Sequence, residues 1–372
     1  VIYLDSAATT FQKPPSVRAA VQRAMERCAS PGRGGYREAM LADRLLYGCR
    51  ERCAALFDCE PEQVVFTTSA THGLNIAIKD LVRPGDRVVV SGFEHNAVMR
   101  PLTALGAETV TAGERLFDRE DTLAAFRSAV TPETAAVVCT HVSNVFGYVL
   151  PIAEIAALCR ERDVPLVIDA AQSAGILPLS LRALGAAYIA MPGHKGLYGP
   201  QGTGILLCGR IPGRTLLEGG TGSVSQELTM PEFLPDRLEP GTANVPGIAG
   251  LDAGIAFLQC AGMDRIRAQE QRLLRRTVAG LLELPEVRCF AGPGQSGVLS
   301  LQFAGMDCET AAEKLAAQGI AVRAGLQCAP QAHRSAGTLP EGTVRVSFSA
   351  FNTTREIDCF LRAAGRLREK ER

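Results

Sequence analysis

The stretch AAVVCTHVSNVFGYVLPIAEIAALCRERDVPLVIDAA, residues 135–171, decides the fold. Its two ends, AAVVCTHV (135–142) and PLVIDAA (165–171), are short runs rich in β-branched and apolar residues, as strands are. Between them PIAEIAALCRERD (151–163) spaces its apolar residues as a helix does. Outward from this unit, VVFTT (64–68) and RVVVS (87–91) alternate with further helical stretches. That rhythm belongs to a mostly parallel α/β sheet. After about Pro246 it changes to a long helical tract through Leu282, strands near 287–290 and 297–303, a helix, and a last strand and helix. A smaller C-terminal α+β domain is predicted there.

At 372 residues with 47% hydrophobic content, the chain is able to bury a substantial core. Lysine plus arginine and aspartate plus glutamate both number 39, so no net field favours nucleic acid or an anionic membrane, and a charged ligand must be held by local groups. No apolar run reaches transmembrane length and Val1–Thr10 lacks the layout of a signal peptide, which predicts a cytoplasmic chain. The twelve cysteines are scattered through a chain that needs no staples, so reduced thiols are expected. Cys49, Cys53 and Cys59 come nearest to a cluster, but YGCRERCAALF reads as one amphipathic helix and no metal site is expected.

Ligands of open α/β sheets gather at the carboxyl ends of the strands, and four places there carry chemistry. Ser69-Ala70-Thr71-His72-Gly73 follows VVFTT and opens a helix; the free N–H groups of its first turn suit a phosphate, and Ser or Thr also serves there as a plain cap. Asp169 closes PLVID, where a carboxylate needs a partner: a protonated ring nitrogen, or the next helix that it would cap. Gly193-His194-Lys195-Gly196 follows AYIAM, and a lysine at a strand end can condense with a carbonyl, although most lysines are solvated. Arg323-Ala324-Gly325-Leu326-Gln327-Cys328-Ala329-Pro330 sets one cysteine in a loop, unlike Cys139, Cys159 and Cys208, which lie in apolar segments and read as packing. Gly292-Pro293-Gly294-Gln295-Ser296-Gly297 matches the dinucleotide-binding glycine pattern, but it leads into the strand-like VLSLQF instead of a helix, which argues against nicotinamide or flavin.

Together YLDSAATT (3–10), TSATHGLN (68–75), EHNAV (94–98), HVSNVFG (141–147), DAAQSAG (169–175), GHKGLYGPQGTG (193–204), GTANVPGI (241–248), RAGLQCAP (323–330) and RVSFSAFNT (345–353) resemble the cysteine desulfurases, pyridoxal-phosphate enzymes of the class V aminotransferase group. The resemblance implies aminotransferase fold type I: a large domain over residues 16–245 with a mostly parallel seven-stranded sheet between helices, and a small α+β domain of 1–15 with 246–372 that carries the cysteine loop. It implies pyridoxal 5'-phosphate on Lys195, Asp169 on the pyridine nitrogen, Gln172 on the ring hydroxyl oxygen and His95 stacked on the ring. Ala70, Thr71 and His194 match phosphate-binding positions, and Thr242 matches a residue that reaches the phosphate of the neighbouring subunit, so a homodimer is implied. Asn144 and Arg345 match binders of the substrate carboxylate. The implied reaction turns L-cysteine into L-alanine and leaves the sulfur as a persulfide on Cys328 for an acceptor protein, with His95 as proton carrier.

Two departures stand out. Pro192 occupies a position that in many relatives is a phosphate-binding serine, and GRGGYREAM (32–40) replaces a histidine-containing segment. Selenocysteine lyase and cysteine sulfinate desulfinase activities would use the same lysine and aspartate without a nucleophilic cysteine. A non-catalytic scaffold of the same fold would not be expected to keep Lys195, Asp169, Gln172 and His95.

Overall fold

Alternate residues of the central strands are buried on opposite sides, so each strand needs cover on both faces and the chain supplies helices for both. A computed structural model describes residues 1–32 and 34–367. In chain order its elements begin with β1 (Ile2–Tyr3), α1 (Pro15–Arg27), α2 (Arg37–Phe57), β2 (Val64–Thr67), α3 (Ala70–Leu81), β3 (Arg87–Ser91), α4 (Asn96–Leu105) and β4 (Glu108–Ala112). There follow α5 (Arg119–Ala129), β5 (Thr134–Thr140), α6 (Ile152–Glu161), β6 (Leu166–Asp169), α7 (Leu181–Leu184), β7 (Tyr188–Pro192) and β8 (Gly204–Cys208). The rest comprises α8 (Val245–Ala261), α9 (Met263–Leu282), β9 (Val287–Phe290), β10 (Val298–Phe303), α10 (Cys308–Ala316), β11 (Ile320–Ala321), α11 (Pro330–Ser335), β12 (Val344–Ser347) and α12 (Thr354–Arg366).

Seven strands form one sheet in the order β2-β8-β7-β6-β5-β3-β4, with β8 antiparallel to both its neighbours and the other pairings parallel. Val89, Val137, Ile168, Ile189 and Ile205 fill one face, and Val88, Val138, Val167, Ala190 and Leu206 the other. The expected α/β class with a mostly parallel seven-stranded sheet is therefore present. The sequence GPGQSG does run into a strand, β10.

A second core gathers Leu4, Leu273, Leu299, Leu301, Val344, Val346, Ile357 and Phe360 around the antiparallel sheet β12-β10-β9. The chain start joins it because β1 pairs in parallel with β11, Ile2 opposite Ile320. The helical tract through Leu282 consists of two helices bent by 79°, because Gly262 between them has φ 82°, outside the helical range. Cys49 and Cys53 are both fully buried within α2. Of the GRGGYREAM segment, Arg33 lies outside the described residues and Arg37–Met40 open α2. Among the described residues, no single helix is long and apolar enough to cross a membrane.

Candidate active site

Strands β2, β3, β5, β6 and β7 point the same way, so the segments that follow them meet at one edge of the sheet. Ala70 and Thr71 open α3 after β2, His95 caps α4 after β3, Asn144 follows β5, Asp169 ends β6, and His194 and Lys195 follow β7. Residues far apart in sequence are thereby brought to one edge of the sheet.

Of the predicted site residues, Lys195 and Gln172 line a small, partly open pocket together with Ser6, Thr10, Ala171, Glu270 and Ser349. Burial pushes the Lys195 amine down to about 8, Arg345 adds to that, and Asp169 opposes it. Asp169 is itself buried, which raises its carboxyl, while the Ala171 N–H, donated to Oδ1 at 2.8 Å, and Lys195 lower it. The two segments touch at their glycines: a Cβ on Gly175 would meet the Gly196 carbonyl oxygen at 2.3 Å, and one on Gly196 would meet the Ala174 oxygen at 2.3 Å. Only glycine allows that approach. Gln172 Nε2 donates to the Ala7 carbonyl at 3.0 Å.

Burial, then the positive charges of Lys195, Arg345 and Arg100, push His95 down to about 4, so its ring is neutral. Its Nδ1 accepts the Ala97 N–H at 3.0 Å as the helix cap, which places the ring proton on Nε2. Next to it, the N–H groups of Ala70 and Thr71 find no acceptor among the described residues, because the Ser69 hydroxyl caps the N–H of His72 instead. His194 Nδ1 lies 3.0 Å from Thr9 Oγ1, and its carbonyl accepts from Lys13 Nζ at 2.9 Å. Pro192 is the buried last residue of β7. Thr242 is exposed and makes no hydrogen bond among the described residues.

Arg345 is 2% exposed and sits on β12. Its Nη1 donates to the Asn144 carbonyl at 3.0 Å and its Nη2 to Asp5 Oδ1 at 2.9 Å, leaving Nε buried without an acceptor. Asp5 also takes three bonds from Arg323, at 3.2 Å on Oδ1 and at 2.9 and 2.7 Å on Oδ2. Asn144 Nδ2 is directed at the Gln327 carbonyl, 2.8 Å away. Cys328 is exposed at the tip of a turn where Gln327 and Cys328 both have positive φ, 42° and 56°. The Cys328 carbonyl accepts the Asn96 N–H at 2.8 Å, which fastens the turn to the start of the helix capped by His95.

Sequence reasoning passed over two acidic groups. Asp5 stood within YLDSAATT, but nothing in that motif says that it would carry two arginines from the other end of the chain. Glu94 is fully buried beneath the site, its Oε1 accepting the Thr140 N–H at 2.8 Å; burial pushes it up to about 8. The signal for Glu94 was its place directly before His95 at a strand end.

The donor set fits a phosphorylated pyridine aldehyde. A depressed amine, a buried carboxylate, a neutral imidazole and a helix N-terminus with free N–H groups are the partners that its carbonyl, ring nitrogen, ring face and phosphate require. The aminotransferase class-V family profile matches residues 2–360. A probable cysteine desulfurase of Methanothermobacter thermautotrophicus is 34% identical over 367 residues, 96% of this chain and 92% of that one. One from Pyrococcus abyssi is 30% identical over 380 residues, 97% of this chain and 92% of its own. The apo cysteine desulfurase structure from Thermococcus onnurineus NA1 is 29% identical, with a TM-score of 0.89 over 99% of this chain and 95% of that one. The chain belongs to the class-V aminotransferase family, within its cysteine desulfurase group.

Proposed function

We propose that the protein is a pyridoxal-phosphate-dependent cysteine desulfurase that moves sulfur from L-cysteine to Cys328 and releases L-alanine. The observation that carries this reading is the exposed Cys328 turn, bonded through Asn96 to the helix start at His95, whose ring feels the charges of Lys195 and Arg345. When bound, the cofactor would accept the electron pair left at the substrate Cα.

Lys195 would hold the cofactor and, once released, take the Cα proton; with its amine at about 8, far more of it is free base at neutral pH than in an ordinary lysine. Asp169 would keep the pyridine nitrogen protonated, Gln172 would face the ring hydroxyl, and His95 would stack on the ring and carry a proton at Nε2. Ala70, Thr71 and His194 would hold the phosphate, with the free N–H groups of α3 as donors where Pro192 offers no hydroxyl. Arg345 would receive the substrate carboxylate through its unused Nε, oriented with Asn144.

Cys328 would then attack the substrate sulfur. An S–S bond forms and the Cβ–S bond breaks; the electron pair stays on Cβ, which takes a proton, and Cα regains the proton it gave to Lys195, giving alanine. Sulfur is oxidised as carbon is reduced, so no outside oxidant is needed.

The same reading makes the protein a homodimer in which Thr242 serves the neighbouring subunit, supported by the exposed apolar side chains Ile211, Leu217, Leu228 and Phe233 in the segment before it. It also divides the chain into a cofactor-binding lobe, 16–245, and a lobe of 1–15 and 246–372 that presents the persulfide to an acceptor protein. Cys328→Ser tests the reading: it should keep the visible absorption band of the bound cofactor and its change on adding cysteine, yet form no appreciable alanine. Undiminished alanine formation would overturn it.

A further inference from the structure

The turn that presents Cys328 is held in a conformation that its residues disfavour. Gln327 and Cys328 are consecutive non-glycine residues at φ 42° and 56°, each disfavoured roughly tenfold relative to ordinary backbone. Gln327 points inward and is 9% exposed, while Cys328 is exposed.

The buried amide is bonded at every side. Gln327 Nε2 donates to the carbonyls of Thr343 at 3.0 Å and Arg323 at 3.3 Å, which fixes which end of the amide is oxygen. Oε1 therefore faces His333 Nε2, 3.1 Å away, and that nitrogen must be the donor. His333 is fully buried, and its Nδ1 accepts from Thr338 Oγ1 at 2.7 Å. Burial pushes the ring down to about 4, against the upward pull of a bond to the Leu326 backbone, so this single-donor form persists at neutral pH. The Gln327 carbonyl accepts from Asn144, and the next carbonyl, that of Cys328, from Asn96.

We propose that Gln327 and His333 are positioning residues for sulfur transfer, an amide anchor and its orienting imidazole that hold the left-handed turn so that Cys328 stays at its tip beside the helix beginning at His95. Neither side chain need touch the substrate or the cofactor. The inference rests on Cys328 being the sulfur acceptor. Losing the His333–Gln327 bond would let the turn relax, and the step that uses the thiol would slow while earlier steps did not.

The test uses the holoenzyme and the variants His333→Leu, His333→Gln and Gln327→Met. His333→Leu removes the donor and His333→Gln restores an N–H. In His333→Leu, amide hydrogen exchange over residues 323–330 should speed up and kcat for alanine should fall by about tenfold, the value of one buried hydrogen bond. KM, the cofactor band and exchange over residues 169–195 should stay at wild-type values. His333→Gln should recover most of kcat, and Gln327→Met should repeat the loss if the histidine variants fold poorly. Unchanged exchange and kcat in His333→Leu and Gln327→Met would overturn the proposal, as would an equal loss in the Leu and Gln variants, which would indicate packing instead of the hydrogen bond. Cys328→Ser is the separate control: if it still makes alanine, the assignment of the acceptor fails, whereas the exchange data judge the anchor by itself.

Discussion

Removing the Asp5 carboxylate should cost far more stability than removing its partner at the surface, the solvent-facing Arg323 side chain. Asp5 is 5% exposed and Arg345 2%, so Asp5→Ala strands a guanidinium in the protein interior with the Asn144 carbonyl as its one remaining hydrogen-bond partner among the described residues. Breaking a buried ion pair from one side costs about 3–5 kcal/mol. The Arg323 side chain is 51% exposed, and its pairing with Asp5 is screened by water to about 0–1 kcal/mol. Urea unfolding followed by circular dichroism should therefore show Asp5→Ala losing about 3–5 kcal/mol and Arg323→Ala no more than about 1 kcal/mol. The double variant should fall close to Asp5→Ala, since most of the penalty lies at Arg345. If Asp5→Ala loses less than about 1 kcal/mol, or Arg323→Ala loses as much as Asp5→Ala, burial of Arg345 is not what gives the pair its value.

Lys195→Ala should abolish the cofactor's visible band and any adduct that borohydride can fix, as read by absorbance and mass spectrometry of the reduced protein. Asp169→Asn should still bind cofactor but slow loss of the Cα proton by about an order of magnitude, because an amide stabilises the protonated pyridine nitrogen less well; exchange of the substrate α-deuteron reports it. Glu94 is raised from 4.5 to about 8 by burial, so its contribution to stability is fully present below the unfolded value and is lost as pH rises to about 8. Between pH 5 and 8 wild type should lose stability relative to Glu94→Gln by up to about 1.4 kcal/mol per pH unit, and parallel pH profiles would count against a buried, protonated Glu94.

Much of this architecture was legible because it is local. The strands over 64–67, 87–91, 134–140 and 166–169 announce themselves by apolar runs, and their carboxyl ends mark where Ala70, His95, Asn144 and Asp169 come together. Less legible was whatever depends on distant pairing. Nothing near Gly262 in sequence says that α8 and α9 part company there except a glycine in an otherwise helical run. The bond from Asp5 to Arg345 joins residues 340 positions apart, and periodicity has no reach over that distance. His333 carries no signal in the sequence, since its partner Gln327 becomes visible only once the turn is folded.

The most direct measurement is mass spectrometry of the wild-type holoenzyme after brief exposure to L-cysteine, with digestion under conditions that preserve and trap persulfides. The account predicts one added sulfur on the peptide containing Cys328, formed together with alanine and absent without cofactor. Alanine released with that peptide unmodified, or the added sulfur found consistently on another cysteine, would contradict it.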